Sequence, residues 1–264
     1  MSTQEDMTVD GVIRSLIAFD PIKVWSWLTT IFGDMAREPG SELSGSVLGV
    51  LTEAVGIRPQ AMRVALHRLR KDGWIVARKK GRTSHYRLTD AALTETIAAS
   101  ARIYAAEIAV PSQWHLIVAQ PARDALTLSG EYLKITESTY LGLGPRPPDC
   151  SGVLALDVAR ADIPDWVLRG ALSDELDAMY RRFAEALSAV EDALQDAPDM
   201  TVLQRVTLRL LILHHWRRVV LRSAPIVDAL GEAEWIGGAC RARSAKIFDR
   251  LPAVPADRIL AGIE

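Results

Sequence analysis

Ten Arg or Lys side chains fall between Gly56 and Leu88: Arg58, Arg63, Arg68, Arg70, Lys71, Arg78, Lys79, Lys80, Arg82 and Arg87. Asp72 is the one acid among them, so the stretch carries +9 in a chain of −2 and the remainder is strongly acidic. A positive island in an acidic protein is built to meet a polyanion. An ordinary solvated face mixes signs, and ten bases against one acid does not. The chemistry on offer is ionic and hydrogen-bonding: guanidinium and amide groups suit base edges, and lysines suit phosphates. RNA and an acidic protein partner remain alternatives to DNA.

Other chemistry is sparse. No G-x-S-x-G, G-x-x-x-x-G-K or H-E-x-x-H pattern occurs. His214 and His215 are adjacent, so on a helix they point about 100° apart and cannot share one metal face. One of them is expected in a core or interface and the other exposed. Arg217 and Arg218 beside His215 have the donors for a phosphate or carboxylate. Their alternative partners are the acids of the C-terminal half. Tyr180 and Trp216 are candidate pocket walls, although aromatics at helical spacing also serve a core. No cofactor is indicated. Cys150 and Cys240 lie far apart without metal-ligand spacing, and free thiols in a reducing cytoplasm are expected.

The elements that must position the island follow from hydrophobic period and punctuation. Residues 1–8 read as a disordered lead-in. The pair Asp20-Pro21 reads as the start of a helix over 21–36, and 41–55 as a second helix ended by Gly56. The third helix, 58–72, buries Met62, Ala65, Leu66 and Leu69 as one stripe. That turns Gln60, Arg63, Val64, His67, Arg68 and Lys71 the other way. Strands over 74–78 and 84–88 flank a basic glycine turn, 79–83. A helix over 91–109 follows. Trp114–Ala119, an apolar piece near 140–143, and Val153–Val158 read as strands. Helices are expected over 173–193, from 199 or 201 to 222, and over 238–251. The fold class is mostly α with small β parts. The expected domains are 9–110, 111–165 and 166–264. The apolar run near 208–213 falls far short of the roughly 20 residues needed to span a bilayer.

Helix, glycine turn, helix and basic hairpin is the order of a winged helix-turn-helix. In that reading Gln60, Arg63 and His67 face bases, while Arg58, Arg68 and Lys71 face phosphates. Lys79, Lys80, Arg82 and Ser84 belong to the wing. The run also resembles the head of PaaX-type regulators, the phenylacetic acid catabolon repressors. The matching residues are Arg63, Ala65, Leu66, Arg68, Leu69, Gly73, Trp74, Gly81, Arg82, Ser84, Tyr86, Leu88, Thr89 and Asp90. Arg102-Ile103-Tyr104, Tyr180-Arg181-Arg182-Phe183, Leu211–Pro225 and Trp235-Ile236-Gly237 are similar to further family segments, in the same order. Two departures stand out. The family's W-D-G-x-W entry is only PSQWHL here, and its D-P-L-P-x-x-L-L-P stretch is altered at Ser223–Ile226.

The resemblance implies a cytoplasmic repressor of a catabolic operon. It would bind a double-stranded operator as a homodimer, with no membrane association. An acyl-CoA thioester would bind the C-terminal domain, where Tyr180, His215, Trp216, Arg217 and Arg218 are the candidate residues. It also implies a middle region related to a reduced ferredoxin-like, Cas2-like unit. Two other readings remain. A Cas2-like nuclease fused to a DNA-binding head needs a carboxylate after WHLIVA, where Gln120 stands and Asp124 is the nearest acid. A non-enzymatic adaptor would use the acidic half to hold a protein.

Overall fold

The computed structural model describes residues 8–108, 111–119, 132–146, 148, 152–159, 164, 166–167, 170, 173–196, 199–223, 225–230 and 235–261. The lead-in at 1–7, Cys150, Gln120 and Asp124 lie outside them. The described part is mostly helical with two small antiparallel sheets. The chain divides into two compact units.

The first unit comprises residues 1–105, 185–217 and 243–264. It opens with α1 (Val9–Phe19), capped by Thr8, whose hydroxyl accepts from the Gly11 amide. Asp20 ends α1 in an extended conformation and does not open the next helix as expected. That helix, α2 (Val24–Met35), starts three residues after Pro21 without a side-chain cap. It holds through burial: Trp27, Leu28, Ile31 and Phe32 are fully enclosed. Each such side chain contributes roughly 1.5–3 kcal/mol relative to exposure.

The expected helix over 41–55 is shorter. Leu43–Ser44 form a strand, β1, and α3 (Gly45–Glu53) begins after Ser44, which caps the Val47 amide. Strand pairing explains the difference: Leu43 and Ser44 bond across to Tyr86 and His85. Next come α4 (Pro59–Lys71), β2 (Ile75–Lys80), β3 (Thr83–Leu88) and α5 (Asp90–Ile103). The sheet order is β1-β3-β2. Thr89 caps α5, and its hydroxyl also donates to the Gly73 carbonyl, tying the helix start to the end of α4. Tyr104 closes α5 well before residue 109.

Long helices at the C-terminal end complete this unit. They are α6 (Asp174–Asp196), α7 (Val202–Val220), α9 (Ile236–Arg250) and the short α10 (Ala256–Ala261), of which residues 185–217 and 243–264 belong here. Leu208, Leu210, Leu211, Ile212 and Leu213 of α7 are buried all round, as the absence of a polar face predicts. Buried beside them, Arg209 donates to both oxygens of Asp34 at 2.7 and 2.8 Å. It also donates to the carbonyls of Phe248 and Leu251. Tyr104 donates to Asp34 at 2.7 Å. Burial and the Asp34 carboxylate push the Tyr104 hydroxyl well above its ordinary pKa. Burial works against the Arg209 charge, and the Asp34 bonds more than offset it, so its pKa rises.

The second unit comprises residues 106–184 and 218–242. Its antiparallel sheet has the order β5-β6-β4-β7, where β4 is Trp114–Ala119, β5 Leu133–Lys134, β6 Thr139–Leu143 and β7 Val153–Val158. The strand β5 and the short helix α8 (Pro225–Leu230) had no period long enough to read in the sequence. Trp114, Leu133 and Leu141 pack with Val167, Ile226, Val227 and Ala229 to form its core. On the other face, His115 is buried between the Gly144 carbonyl, 3.0 Å from Nδ1, and the Tyr132 hydroxyl. Gly142 lies directly beneath both rings, and a Cβ there would overlap the imidazole.

Candidate nucleic-acid interface

The helix α4 is held by its own apolar stripe. Met62, Ala65, Leu66 and Leu69 are buried, and Thr52 of α3 donates to the Met62 sulfur at 3.3 Å. Pro59 occupies the first turn, where its missing amide costs nothing. Arg58 caps the helix in an extended conformation without a side-chain bond.

With the stripe buried, Arg58, Gln60, Arg63, His67, Arg68, Arg70 and Lys71 are all exposed. Val64 sits among them, 65% exposed. Their side chains are lightly engaged. Arg63 Nε donates to the Pro59 carbonyl at 3.4 Å, and Arg68 approaches Asp72 at 3.6 Å with both side chains mostly in solvent. An exposed pair of that kind contributes little to stability. With its side chains a helix such as α4 is about 10–12 Å across, a width that a DNA major groove of about 12 Å admits.

The hairpin places the second group. Lys80 pairs with Thr83, so the turn is only Gly81-Arg82 and the expected turn over 79–83 tightens. Gly81 has φ +60, the positive value that the first position of a type II′ turn demands. Lys79, Lys80, Arg82 and Ser84 are exposed. The cations do not stand alone. Glu42, next to β1, brings its carboxylate 2.7 Å from Lys80 Nζ, 3.3 Å from Arg78 Nη2 and 3.9 Å from His85 Nδ1. The Lys80 hydrogen bond, opposed by burial and aided by the charges of Arg78 and Lys80, holds the Glu42 carboxyl below its ordinary pKa. Sequence reading missed Glu42 because it placed residues 41–55 in one helix. The signal available was Ser44, a better cap than Ser41 for the apolar run that follows it.

The candidate effector residues fall in both units. In the first unit, His215 is buried with Nε2 2.9 Å from the Leu16 carbonyl, and Trp216 donates to the Ile103 carbonyl at 2.8 Å. Arg217 donates to the Thr30 hydroxyl and to the Ser26 carbonyl and hydroxyl at 2.7–3.0 Å. His214 is also fully buried, 3.0 Å from the Thr30 hydroxyl, so neither histidine is the exposed one expected. Both are enclosed because α7 is apolar on every side. Tyr180 and Arg218 belong to the second unit. Tyr180 is buried against Trp235 with ring centroids 5.2 Å apart, and its hydroxyl lies 3.2 Å from that of Ser223. Arg218 is half-buried. A cavity of about 820 Å³ lies in that unit beside Trp114, Arg146 and Asp157, and none of the five residues lines it. Cys240 is a buried thiol whose Sγ lies 3.6 Å from the Tyr180 carbonyl. Among the described residues no group of acids, histidines and cysteines is placed to hold a metal, and no helix is long and apolar enough to cross a membrane.

Comparison with known proteins covers both ends of the chain. Residues 23–92 match the family described as PaaX-like protein, and residues 172–261 match the PaaX-like protein C-terminal domain. The transcriptional repressor PaaX of Escherichia coli (strain K12) is 27% identical over 269 residues, 92% of this chain and 85% of that protein. Among solved structures, the uncharacterized protein Rv0674 from Mycobacterium tuberculosis is similar at 20% identity. That match covers 98% of this chain and 100% of the other, with a TM-score of 0.48. The two matched segments contain the basic helix and hairpin at one end and the Arg209 helix at the other, and on these two segments the chain belongs to the PaaX-like family.

Proposed function

We propose that this protein is a non-enzymatic, DNA-binding transcriptional regulator acting as a repressor. In this reading α3, the Gly56 turn, α4 and the β2–β3 hairpin work as a winged helix-turn-helix. The observation that carries it is the division of α4 into a buried apolar stripe and an outward face that bears four of the island's cations with Gln60 and His67, and a fifth, Arg58, at its cap. Membership of a family that includes a transcriptional repressor supports it. Gln60, Arg63 and His67 read bases, Arg58, Arg68 and Lys71 hold phosphates, and Lys79, Lys80, Arg82 and Ser84 form the wing. A homodimer would set two such helices on an inverted repeat in a cytoplasmic operator. Residues 9–110 carry DNA contact in this scheme, and 166–264 carry dimerisation and effector response.

The middle region, 111–165, is read as ferredoxin-like. The sheet order β5-β6-β4-β7 and its antiparallel directions support that reading. Only residues 144–152 join β6 to β7, a length that fits a reduced form of such a unit. The effector is read as an acyl-CoA thioester of phenylacetic acid catabolism. Binding at Tyr180, His215, Trp216, Arg217 or Arg218 would have to open buried contacts, which makes it a population shift between two conformers.

An electrophoretic mobility shift with DNA flanking the gene tests the main claim. Salt-sensitive, sequence-preferring binding is expected, and its absence refutes DNA regulation. Phenylacetyl-CoA at 100 times its dissociation constant should add about 2.7 kcal/mol of stability, read as a thermal shift.

A further inference from the structure

Glu42 lies outside the basic island in sequence and inside its hairpin in space. Its side chain is 15% exposed, and it meets Lys80 at 2.7 Å and Arg78 at 3.3 Å. Lys79 and Arg82 make no ion pair among the described residues. Arg78 and Lys80 are two apart on β2 and share one face, while Lys79 points to the other. We propose that Glu42 is an internal counter-ion that withholds Lys80 and Arg78 from phosphate, so that Lys79 and Arg82 make the hairpin's DNA contacts.

The argument is one of competition. A phosphate reaching Lys80 must either displace a carboxylate already 2.7 Å from its ammonium or share the ammonium with it. Exchange of one anion for another yields little, and sharing sets the Glu42 carboxylate close to the phosphate, where like charges repel. Lys79 and Arg82 meet no such rival. Each cation that neutralises a phosphate contributes about 0.9 to the slope of log affinity against log salt. Glu42 therefore trims the sequence-independent part of binding and leaves the base-facing side of α4 untouched. This sets a ratio of specific to non-specific affinity and not the specific contacts themselves.

The inference rests on the DNA-binding reading above, and the full-length chain separates the two. Binding to a random-sequence duplex is followed by fluorescence anisotropy between about 50 and 200 mM salt. Lys79→Ala is expected to flatten the salt slope by about 0.9, while Lys80→Ala leaves it nearly unchanged. Glu42→Gln, which keeps the size and removes the charge, frees Lys80 and Arg78 together and is expected to steepen the slope by about 0.9 for each of them that then meets a phosphate. Each such cation should also tighten binding roughly 8-fold at about 0.1 M salt. Lys80→Ala in the Glu42→Gln background should cancel the Lys80 share of that gain, which a merely structural role for Glu42 does not predict. Equal losses for Lys79→Ala and Lys80→Ala in the wild-type background overturn the proposal, as does an unchanged slope in Glu42→Gln. Absence of binding by every variant overturns the DNA reading itself.

Discussion

Neutralising Asp34 should unfold the first unit more readily than any surface change in the basic island. Asp34 and Arg209 are 2% and 7% exposed, and 175 residues separate them in sequence. Arg209 spends two donor contacts on Asp34 and two on the carbonyls of Phe248 and Leu251. Asp34→Asn keeps an acceptor for the Tyr104 hydroxyl but leaves a buried guanidinium without its counter-charge. Breaking a buried pair from one side costs about 3–5 kcal/mol. Arg209→Met strands the carboxylate in the same way and also orphans two carbonyls, so its cost lies at the upper end of that range. The double variant Asp34→Asn/Arg209→Met contains neither charge. It should therefore lose no more than the worse single variant, about 3 kcal/mol or more short of the summed losses. Urea unfolding followed by fluorescence reads this, since Trp27 is fully enclosed in the same unit. Additive losses in the double variant, or a loss under about 1 kcal/mol for Asp34→Asn, would refute the reasoning.

Arg63→Ala should cost about 1–3 kcal/mol at a specific site and relax preference at one base position, measured by selection from a random duplex pool. Uniform weakening across sequences would make Arg63 a phosphate contact instead. Gly142→Ala should destabilise the second unit by about 1–3 kcal/mol, because the buried imidazole of His115 and the half-buried ring of Tyr132 must move to admit the methyl group. Urea midpoints check this, and an unchanged midpoint shows the rings shift freely. Glu42 has its pKa lowered from 4.5, so its ion pairs stabilise the folded chain above that pH and are lost as pH falls below it. Stability should thus rise less steeply between about pH 3 and 5 in Glu42→Gln than in the wild type.

The α4 register was legible because it is local. An apolar stripe at helical period fixes which side chains are buried, and the rest must face outward. The same logic read β2 and β3, the strands at 114–119 and 153–158, and the enclosed centre of α7. Errors gathered at boundaries, where the competing interactions come from elsewhere in the chain. Leu43 and Ser44 are a strand because β3 lies alongside them, and α5 stops at Tyr104, whose hydroxyl is engaged by Asp34. Short elements such as β5 and α8 contain too few residues to display a period.

The candidate site divides along the same line. By itself the sequence determined that a strongly basic helix face and hairpin exist, since charge and period are properties of a single segment. It also determined family, because matching motifs recur in order at both ends. Tertiary structure decided which of those charges are already engaged. Glu42 reaches Lys80 only because β1 lies against the hairpin, and His215, Trp216 and Arg217 lose their exposure to α1, α2 and the end of α5. Such pairings join residues 38 to 199 positions apart, or depend on a strand between them, and no local pattern encodes a partner at that distance.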